Sequence, residues 1–196
     1  MTPDYYTENA DTVFGIYEGV NPGDLYRAYL PALSDKAGGR ALDIGAGSGR
    51  DAAWLRDMGY TVSAAEPNDA MRSRAIARHG DGISWSAASL PGLYGIEVSK
   101  GGFDIVFCNG VFMHVRPEDR HAALAGINRL LANDGVLCLN FRAVTDADEG
   151  RGMFEIHADE MAAHARDLGM YFKVETTDDV LKRKQMSWWS CSLGKL

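Results

Sequence analysis

A short apolar run that ends in a cluster of glycines constrains this chain more than any other feature of its sequence. Residues 40–44, Arg-Ala-Leu-Asp-Ile, form a predicted buried strand, and the residues Gly45-Ala46-Gly47-Ser48-Gly49 follow directly. A glycine-rich turn between a strand and a helix lets the backbone approach a bound ligand closely, because each missing side chain removes a steric barrier. We therefore expect an α/β fold with a ligand site at the end of this strand.

From residue 40 onward, short strand-like runs alternate with helical ones, which is typical of a parallel sheet covered by helices. The predicted strands are 40–44, 60–65, 83–85, 103–108, 136–141, 171–177 and 185–193. The predicted helices are 52–58, 71–79, 117–131 and 159–168. The segment before the first strand is too short for a separate domain. We interpret residues 1–38 as an N-terminal helical lid on a domain of residues 39–196.

The composition fits one compact domain and disfavours several classes of partner. The chain has 196 residues, of which 46% are hydrophobic and 24% charged. Its 20 Lys and Arg residues against 27 Asp and Glu residues give a net charge of −7, which offers no global attraction for nucleic acid or anionic lipid. No apolar run approaches the ~20 residues that cross a bilayer, and the start lacks a signal-peptide pattern. These features predict a cytoplasmic protein without nucleic-acid or membrane partners.

The cysteines and histidines do not form the patterns of a disulfide scaffold or a metal site. Cys108, Cys138 and Cys191 are far apart in apolar or aromatic runs, which predicts buried, reduced thiols. His157 and His164 are seven residues apart, and the chain has no His-Glu-x-x-His or paired-cysteine pattern. We therefore expect no metal site.

The glycine turn departs from the dinucleotide fingerprint. That fingerprint needs a glycine or alanine five positions after Gly45, where this chain has Arg50. The spacing fits instead a ligand that carries an amine, a sulfonium and a ribose, but no pyrophosphate. Glu66, which stands 21 residues after Gly45, is the candidate to accept hydrogen bonds from both ribose hydroxyls. The alternative is that Glu66 caps the following helix and that the glycines form an ordinary tight turn.

These motifs resemble those of the class I S-adenosylmethionine-dependent methyltransferases, in particular small bacterial ones whose glycine loop ends in Gly-Arg-Asp. The similarity runs from residues 41–51 through Glu66-Pro67 to 103–106 and 130–135. It implies a Rossmann-like, seven-stranded mixed sheet flanked by helices, with the last strand antiparallel. It also implies S-adenosylmethionine as the cofactor.

Carried over by position, the resemblance implies a set of cofactor-binding residues. Asp43 and the backbone of 45–47 would hold the methionine amino end, Glu66 the ribose, and Met71 would lie near the adenine. This chain lacks the acid that the family commonly places after the third strand, so the backbone of Ala88 and Ser89 is expected to meet the adenine amino group. The full set comprises Asp43, Gly45, Ala46, Gly47, Glu66, Pro67, Met71, Ala88, Ser89, Asn109 and Val111.

The end of the fourth strand is the edge nearest the transferred methyl group. Nucleic-acid amino methyltransferases of this fold commonly carry Asn-Pro-Pro-Tyr there, whereas residues 109–112 are Asn-Gly-Val-Phe. This difference favours a small molecule or a protein side chain as acceptor. His114 either takes a proton from the acceptor or faces Asp43 or solvent. Arg142 either clamps a substrate carboxylate or lies on the surface.

The sequence thus predicts an enzyme that moves the methyl group of S-adenosylmethionine to an oxygen, nitrogen or sulfur atom of a small-molecule acceptor by in-line displacement. Tyr5, Tyr6 or Tyr17 would shield the sulfonium, since aromatic faces attract cations, or would pack against the sheet edge. A regulator that binds S-adenosylmethionine or S-adenosylhomocysteine without catalysis is the alternative. A nicotinamide oxidoreductase is a third interpretation.

Overall fold

A seven-stranded sheet forms the centre of the computed structural model, which describes residues 3–98, 101–179 and 187–196. The strands are β1 (Arg40–Ile44), β2 (Thr61–Ala65), β3 (Ile83–Ser86), β4 (Phe103–Asn109), β5 (Leu131–Arg142), β6 (Met170–Asp178) and β7 (Ser187–Lys195). Their order is β3-β2-β1-β4-β5-β7-β6. The first five strands pair in parallel, and β7 is antiparallel to both β5 and β6. The predicted fold class is therefore confirmed.

Helices lie before the sheet and between its strands. In the described ranges they are α1 (Pro3–Glu8), α2 (Ala10–Glu18), α3 (Pro22–Leu25), α4 (Leu30–Asp35), α5 (Arg50–Asp57), α6 (Asp69–His79), α7 (Arg120–Leu130) and α8 (Ala158–Asp167). Short 3-10 turns cover Arg27–Tyr29, Phe112–His114, Pro117–Asp119 and Asp146–Asp148. None of the described helices has the length and apolar character that a bilayer crossing requires.

The central strand β4 is covered on both faces, as its continuous apolar run predicts. Val106 and Cys108 pack in the cluster that contains Leu124 of α7. Ile105 and Phe107, which alternate with them, pack in the cluster that contains Leu55 of α5 and Tyr29 of the N-terminal segment. The N-terminal segment therefore contributes to the core of one sheet face as well as lying at the sheet edge.

The boundary between α7 and β5 differs from the prediction. Helix α7 ends at Leu130 instead of 131, and Leu131 already pairs with Phe103. The next paired residues are Ile105 and Val136, so the predicted Asn-Asp-Gly turn lies within an irregular stretch of the strand. A Cβ on Gly135 would stand 2.5 Å from the Phe103 carbonyl oxygen, and this close approach requires glycine.

The expectation for the cysteines is confirmed, and the interpretation of residues 1–38 as a lid stays a prediction. All three cysteines are buried and free, and burial raises the pKa of each thiol, as expected of reduced core residues. Strand β7 is described from Ser187, so the start predicted at Gln185 lies outside the described residues.

Candidate cofactor and acceptor site

A cavity of about 430 Å³ opens where β1, β4 and β5 end, between the sheet and the N-terminal helices. Ligands of open α/β sheets bind at this carboxyl edge, and the volume lies within the range of small-molecule pockets. Helices α1 to α3 contribute Tyr6, Ile16, Tyr17 and Leu25 to the wall. The site is thus a space enclosed between two parts of the chain that are distant in sequence.

All but one of the predicted site residues line this cavity. These are Gly45, Ala46, Gly47, Glu66, Pro67, Met71, Ala88, Ser89, Asn109, Val111 and His114. Asp43 does not line it, because its side chain is buried behind the turn with 3% of the residue exposed. Burial raises the pKa of Asp43, and the neighbouring carboxylate of Asp51 raises it further. Contact between Asp43 and the methionine end of a cofactor stays a prediction.

The glycine turn brings bare backbone to the cavity. Gly45 and Gly47 have φ of 68° and 56°, in the left-handed region that glycine adopts at little cost. The N–H groups of Gly45 and Ala46 both donate to the Ala65 carbonyl, at 2.8 and 3.0 Å, and so fix the turn to the end of β2. A Cβ on Gly45 would stand 2.4 Å from Cγ2 of Val111, which leaves no room for another residue there.

Glu66 lies at the end of β2 with its carboxylate held by two backbone groups. Its Oε2 accepts a hydrogen bond from the Gly47 N–H and its Oε1 from the Asn68 N–H, each at 2.8 Å. Burial raises the pKa of Glu66, and these two N–H groups oppose that rise. An ionised carboxylate has about four acceptor positions, so both oxygens keep capacity for a ligand. The cap of α6 is Asn68, whose Oδ1 accepts from the Met71 N–H at 3.0 Å, so Glu66 is not the capping residue.

At the end of β4, the Asn109 side chain has a free amide. Both its nitrogen and its oxygen are buried, and neither has a hydrogen-bond partner among the described residues. The neighbouring Asn140 of β5 is engaged, because its Oδ1 accepts from the Gly110 N–H at 2.7 Å. A buried amide without partners is costly, so Asn109 is suited to bind a ligand group in the cavity.

His114 faces the cavity in the 3-10 turn that follows β4. The hydroxyl of Tyr6 lies 3.0 Å from its Nε2, and the two rings meet edge to face with 5.6 Å between their centroids. Burial lowers the pKa of His114 to about 4, and the guanidinium groups of Arg151 and Arg142 act in the same direction. The imidazole is therefore neutral at pH 7 and bonded to the N-terminal segment, not directed at Asp43 or at solvent.

Arg142 is buried at the end of β5, with 3% of the residue exposed, which excludes the surface alternative. It binds Asp148 through two parallel hydrogen bonds of 2.6 and 2.5 Å. Thr145 donates to the same carboxylate through its N–H and its hydroxyl, at 3.0 Å each. Burial alone would raise the pKa of Asp148, but the hydrogen bonds from Arg142 and Thr145 hold it well below its usual range. Asp148 thus occupies much of the donor capacity that Arg142 would need for the alternative role of clamping a substrate carboxylate.

Several lining residues were missed from the sequence: Arg151, Met153, Asp179 and Trp188. Trp188 reaches the site because its strand pairs with β5, in register with Arg142, whose guanidinium lies 6.0 Å from the tryptophan ring centre. The Trp188 indole N–H donates to Oδ1 of Asp179 at 2.9 Å. No local motif marks these residues. The available signal was the position of the polar loop after β5, which was expected to line the site.

The Arg50–Asp51 pair after the turn connects the N-terminal helices to the cavity. Arg50 donates to the Tyr17 carbonyl at 2.9 Å, to the Tyr26 hydroxyl at 3.1 Å and to Asp51 at 2.7 Å. The Tyr26 hydroxyl in turn donates to Asp51. Of the tyrosines proposed to shield a sulfonium, Tyr6 and Tyr17 line the cavity and Tyr5 does not.

A family model described as a methyltransferase domain matches residues 42–139, which include the glycine turn, Glu66 and the end of β4. The chain belongs to the class I S-adenosylmethionine-dependent methyltransferases. An uncharacterised methyltransferase of Staphylococcus carnosus is 33% identical over 58% of this chain and 52% of its own length. One from a Geobacillus strain is 27% identical over 91% of this chain and 78% of its own length. The chain thus spans about half the length of the first of these methyltransferases.

Solved methyltransferases share the fold over nearly the whole chain. Magnesium protoporphyrin IX methyltransferase from Synechocystis, with bound S-adenosylhomocysteine, superposes with a TM-score of 0.74 at 18% identity, over 98% of each chain. Phosphoethanolamine N-methyltransferase 2 of Haemonchus contortus superposes with a TM-score of 0.73 at 16% identity, over 100% of this chain and 60% of that one. At these identities the similarity establishes the fold alone.

The methyl donor of this family, S-adenosylmethionine, fits the chemistry of the residues present. The glycine turn leaves a backbone surface without side chains, Glu66 keeps acceptor positions for hydroxyl groups, and Asn109 offers a buried amide without partners. Aromatic rings of Tyr6 and Tyr17 line the same cavity, and such rings attract a cationic centre. Within the described ranges, no group of three or more His, Cys, Asp or Glu side chains is arranged to hold a metal ion.

Proposed function

We propose that this chain transfers the methyl group of S-adenosylmethionine to an oxygen, nitrogen or sulfur atom of a small-molecule acceptor. The observation that carries the proposal is the position of the Glu66 carboxylate. It is fixed beside the glycine turn by two backbone N–H groups and retains acceptor positions in an enclosed cavity. A cavity of about 430 Å³ suits a small acceptor beside part of the cofactor better than it suits a folded protein or a nucleic acid.

In this proposal, different parts of the cavity wall bind different parts of the cofactor. The backbone of 45–47 meets the methionine end of the cofactor, with Asp43 supporting that end from behind the turn. Glu66 accepts from the ribose hydroxyls, and the neighbouring wall holds the adenine. That wall consists of Pro67, Met71, Ala88 and Ser89. Asn109 and Val111, at the end of β4, lie between the cofactor and the acceptor.

When bound, the cofactor supplies a methyl group on a positively charged sulfur, which is a good leaving group. The protein then has to align the acceptor atom with that methyl group and exclude water. Tyr6 and Tyr17 close the cavity from the N-terminal side. The imidazole of His114 is neutral and its Nε2 is engaged by the Tyr6 hydroxyl, so Nδ1, which has no partner among the described residues, is the nitrogen that would receive a proton from an acceptor that carries one.

Two solved methyltransferases of this fold hold small molecules, and they support the acceptor class proposed here. The Burkholderia thailandensis enzyme contains 1,6-didemethyltoxoflavin, and the Haemonchus contortus enzyme contains phosphomonomethylethanolamine. These acceptors belong to those proteins.

The test combines calorimetry with a transfer assay. S-adenosylmethionine, S-adenosylhomocysteine and NADH are titrated into the protein, and labelled S-adenosylmethionine is then incubated with a bacterial metabolite extract. Binding of the first two ligands and transfer of label to a small molecule are expected. NADH binding alone would contradict the proposal. Tight cofactor binding with no turnover over the whole metabolite pool would instead favour the non-catalytic regulator.

A further inference from the structure

Two guanidinium groups at the acceptor end of the cavity share a single carboxylate. Asp148 Oδ1 accepts from Arg142 Nη2 at 2.5 Å and from Arg151 Nη1 at 3.1 Å. Asp148 accepts hydrogen bonds from both guanidinium groups and so neutralises one of their two positive charges. The cluster of Arg142, Arg151 and Asp148 therefore carries one net positive charge, in a setting that is mostly shielded from water.

The two arginines differ in how far their donors are already used. Arg142 donates to the Ala143 carbonyl, to both oxygens of Asp148 and weakly to the Met153 sulfur. Arg151 makes one good hydrogen bond, to Asp148, and a long contact of 3.5 Å to the Tyr6 hydroxyl. Its Nε is buried without a partner. A guanidinium has five N–H donors, so Arg151 is the arginine with capacity left for a ligand.

The unused N–H donors of Arg151 lie next to the acceptor end of the cavity. Its guanidinium carbon lies 5.1 Å from the ring centre of Tyr5 and 5.9 Å from that of Tyr6, which orients the planar group. Tyr6 is the residue bonded to His114, and Arg151 itself lines the cavity. The carboxylate of Asp179 also lines the cavity, and its Oδ1 accepts a hydrogen bond from the indole N–H of Trp188. His114 adds no charge because it is neutral at pH 7.

We infer that the acceptor carries an anionic group, a carboxylate or a phosphate, and that Arg151 binds it. The anion would balance the excess charge of the two-arginine cluster and would satisfy donors that the protein leaves open. Planar bidentate geometry makes arginine well suited to both kinds of anion. This places the anionic group beside Tyr6 and leaves the rest of the acceptor to reach the methyl group near Asn109. The inference rests on the proposed function only in treating this part of the cavity as the acceptor end.

The test compares small probes that differ in charge but little in shape. Benzoate, phenyl phosphate and the neutral benzamide are titrated by calorimetry into the full chain, with and without S-adenosylhomocysteine. At least one of the two anions is expected to bind about tenfold or more tightly than benzamide. The better anion identifies carboxylate or phosphate as the natural group. Arg151→Gln should remove this preference, and Arg166→Gln, which removes an exposed charge of α8 outside the cavity, should keep it.

A measurement on the unaltered protein covers the case in which Arg151→Gln does not fold. The ¹⁵N–¹H signal of the Arg151 Nε–H, assigned with the conservative Arg151→Lys variant, should shift with the preferred anion and not with benzamide. Equal binding of all three probes, no binding at millimolar concentration, or an anion preference that survives Arg151→Gln would overturn the inference. If the unaltered chain does not bind S-adenosylhomocysteine, the proposed function is contradicted instead. The titrations of the three probes without cofactor would then still show whether Arg151 binds an anion.

Discussion

At the scale of single residues, the proposed binding of the cofactor ribose depends on the orientation of the Glu66 carboxylate. Its two oxygens each accept one backbone N–H, so the side chain is already oriented before a ligand arrives. Two further hydrogen bonds from ribose hydroxyls to a charged acceptor contribute about 1.5–3 kcal/mol each. Preorganisation of this kind removes the entropic cost of ordering the side chain during binding.

Replacement of Glu66 by glutamine should lower the affinity for S-adenosylhomocysteine about 10- to 100-fold. The amide loses the charge, and its NH2 group must face one of the two N–H donors now bonded to the carboxylate. Calorimetry on the Glu66→Gln variant measures the effect. Asp69→Asn is the control, because it removes a carboxylate that is 86% exposed, three residues along the chain. Equal affinities of both variants would show that Glu66 does not bind the ribose.

Alanine substitutions at Gly45 and Gly38 distinguish the cost of backbone strain from the cost of a steric clash. Both have positive φ, 68° and 82°, but a Cβ on Gly45 would collide with Val111 whereas one on Gly38 would meet nothing within 4 Å. Gly38→Ala is expected to cost about 1 kcal/mol of unfolding free energy, and Gly45→Ala about 2–4 kcal/mol. Urea denaturation of both variants measures the difference. Equal losses would mean that the contact between the turn and β4 is relaxed easily.

His114 should make the stability depend on pH. Its pKa is about 4 in the folded chain and near 6.5 when unfolded, so the unfolded state binds more protons between these values. The contribution is fully present above pH 6.5 and is lost as the pH falls towards 4, with a total of about 3 kcal/mol. Denaturation of His114→Gln from pH 4 to 7 should show a correspondingly flatter profile. His157→Gln, at a side chain that is 67% exposed, should leave the profile unchanged.

At the scale of elements, the site depends on how the N-terminal helices are held over the sheet. Arg50, the first residue of α5, binds the Tyr17 carbonyl and the Tyr26 hydroxyl, and so connects α2 and the end of α3 to the glycine turn. Glu18, the last residue of α2, accepts from the Ser48 hydroxyl at 2.7 Å and contacts His79 at 2.9 Å. The same turn that would bind the cofactor therefore also anchors the segment that encloses it.

The Arg50→Gln variant should loosen the N-terminal helices and leave the sheet intact. Loss of a mostly buried, multiply bonded guanidinium is expected to cost about 2–4 kcal/mol locally, since Asp51 and the Tyr17 carbonyl each lose a hydrogen-bond partner. Hydrogen exchange should become faster in residues 5–26, and the dissociation of S-adenosylhomocysteine should accelerate. Arg56→Gln is the control on the same helix, because Arg56 binds the exposed Asp57 and the carbonyls of His79 and Asp81, which all lie outside residues 5–26. Unchanged exchange in Arg50→Gln would show that other contacts hold the segment.

The sequence predicts the elements that have a local pattern. It does not predict which residues strand pairing and loops bring to the cavity. The strand before the glycine turn, the acid at the end of β2 and the apolar run of β4 each have a pattern within a few residues, and all three lie where expected. Arg151 and Trp188 have no such pattern, since they reach the cavity through the loop after β5 and through the antiparallel pairing of β7. The sequence could not decide whether Arg142 binds a substrate or lies on the surface, because its partner Asp148 lies in a polar loop without a motif.

At the scale of the whole molecule, the cavity is bounded by two regions that are distant in sequence. Its walls come from the carboxyl edge of the sheet on one side and from the first three helices on the other. A ligand that contacts both walls stabilises their closed arrangement, because it binds the folded chain and not the unfolded one. Ligand binding should therefore raise the free energy of unfolding and slow hydrogen exchange in the N-terminal helices.

S-adenosylhomocysteine at 100 times its Kd should raise the unfolding free energy by about 2.7 kcal/mol, which corresponds to about 5–10 °C in Tm for a chain of this size. The rise should continue with the logarithm of the ligand concentration, since it follows from mass action. Thermal unfolding with increasing S-adenosylhomocysteine measures it, and hydrogen exchange in α2 should slow in parallel. NADH at the same concentrations should not shift Tm. A shift of Tm without protection of α2 would mean that the ligand contacts the sheet edge alone and that the N-terminal helices do not close over it.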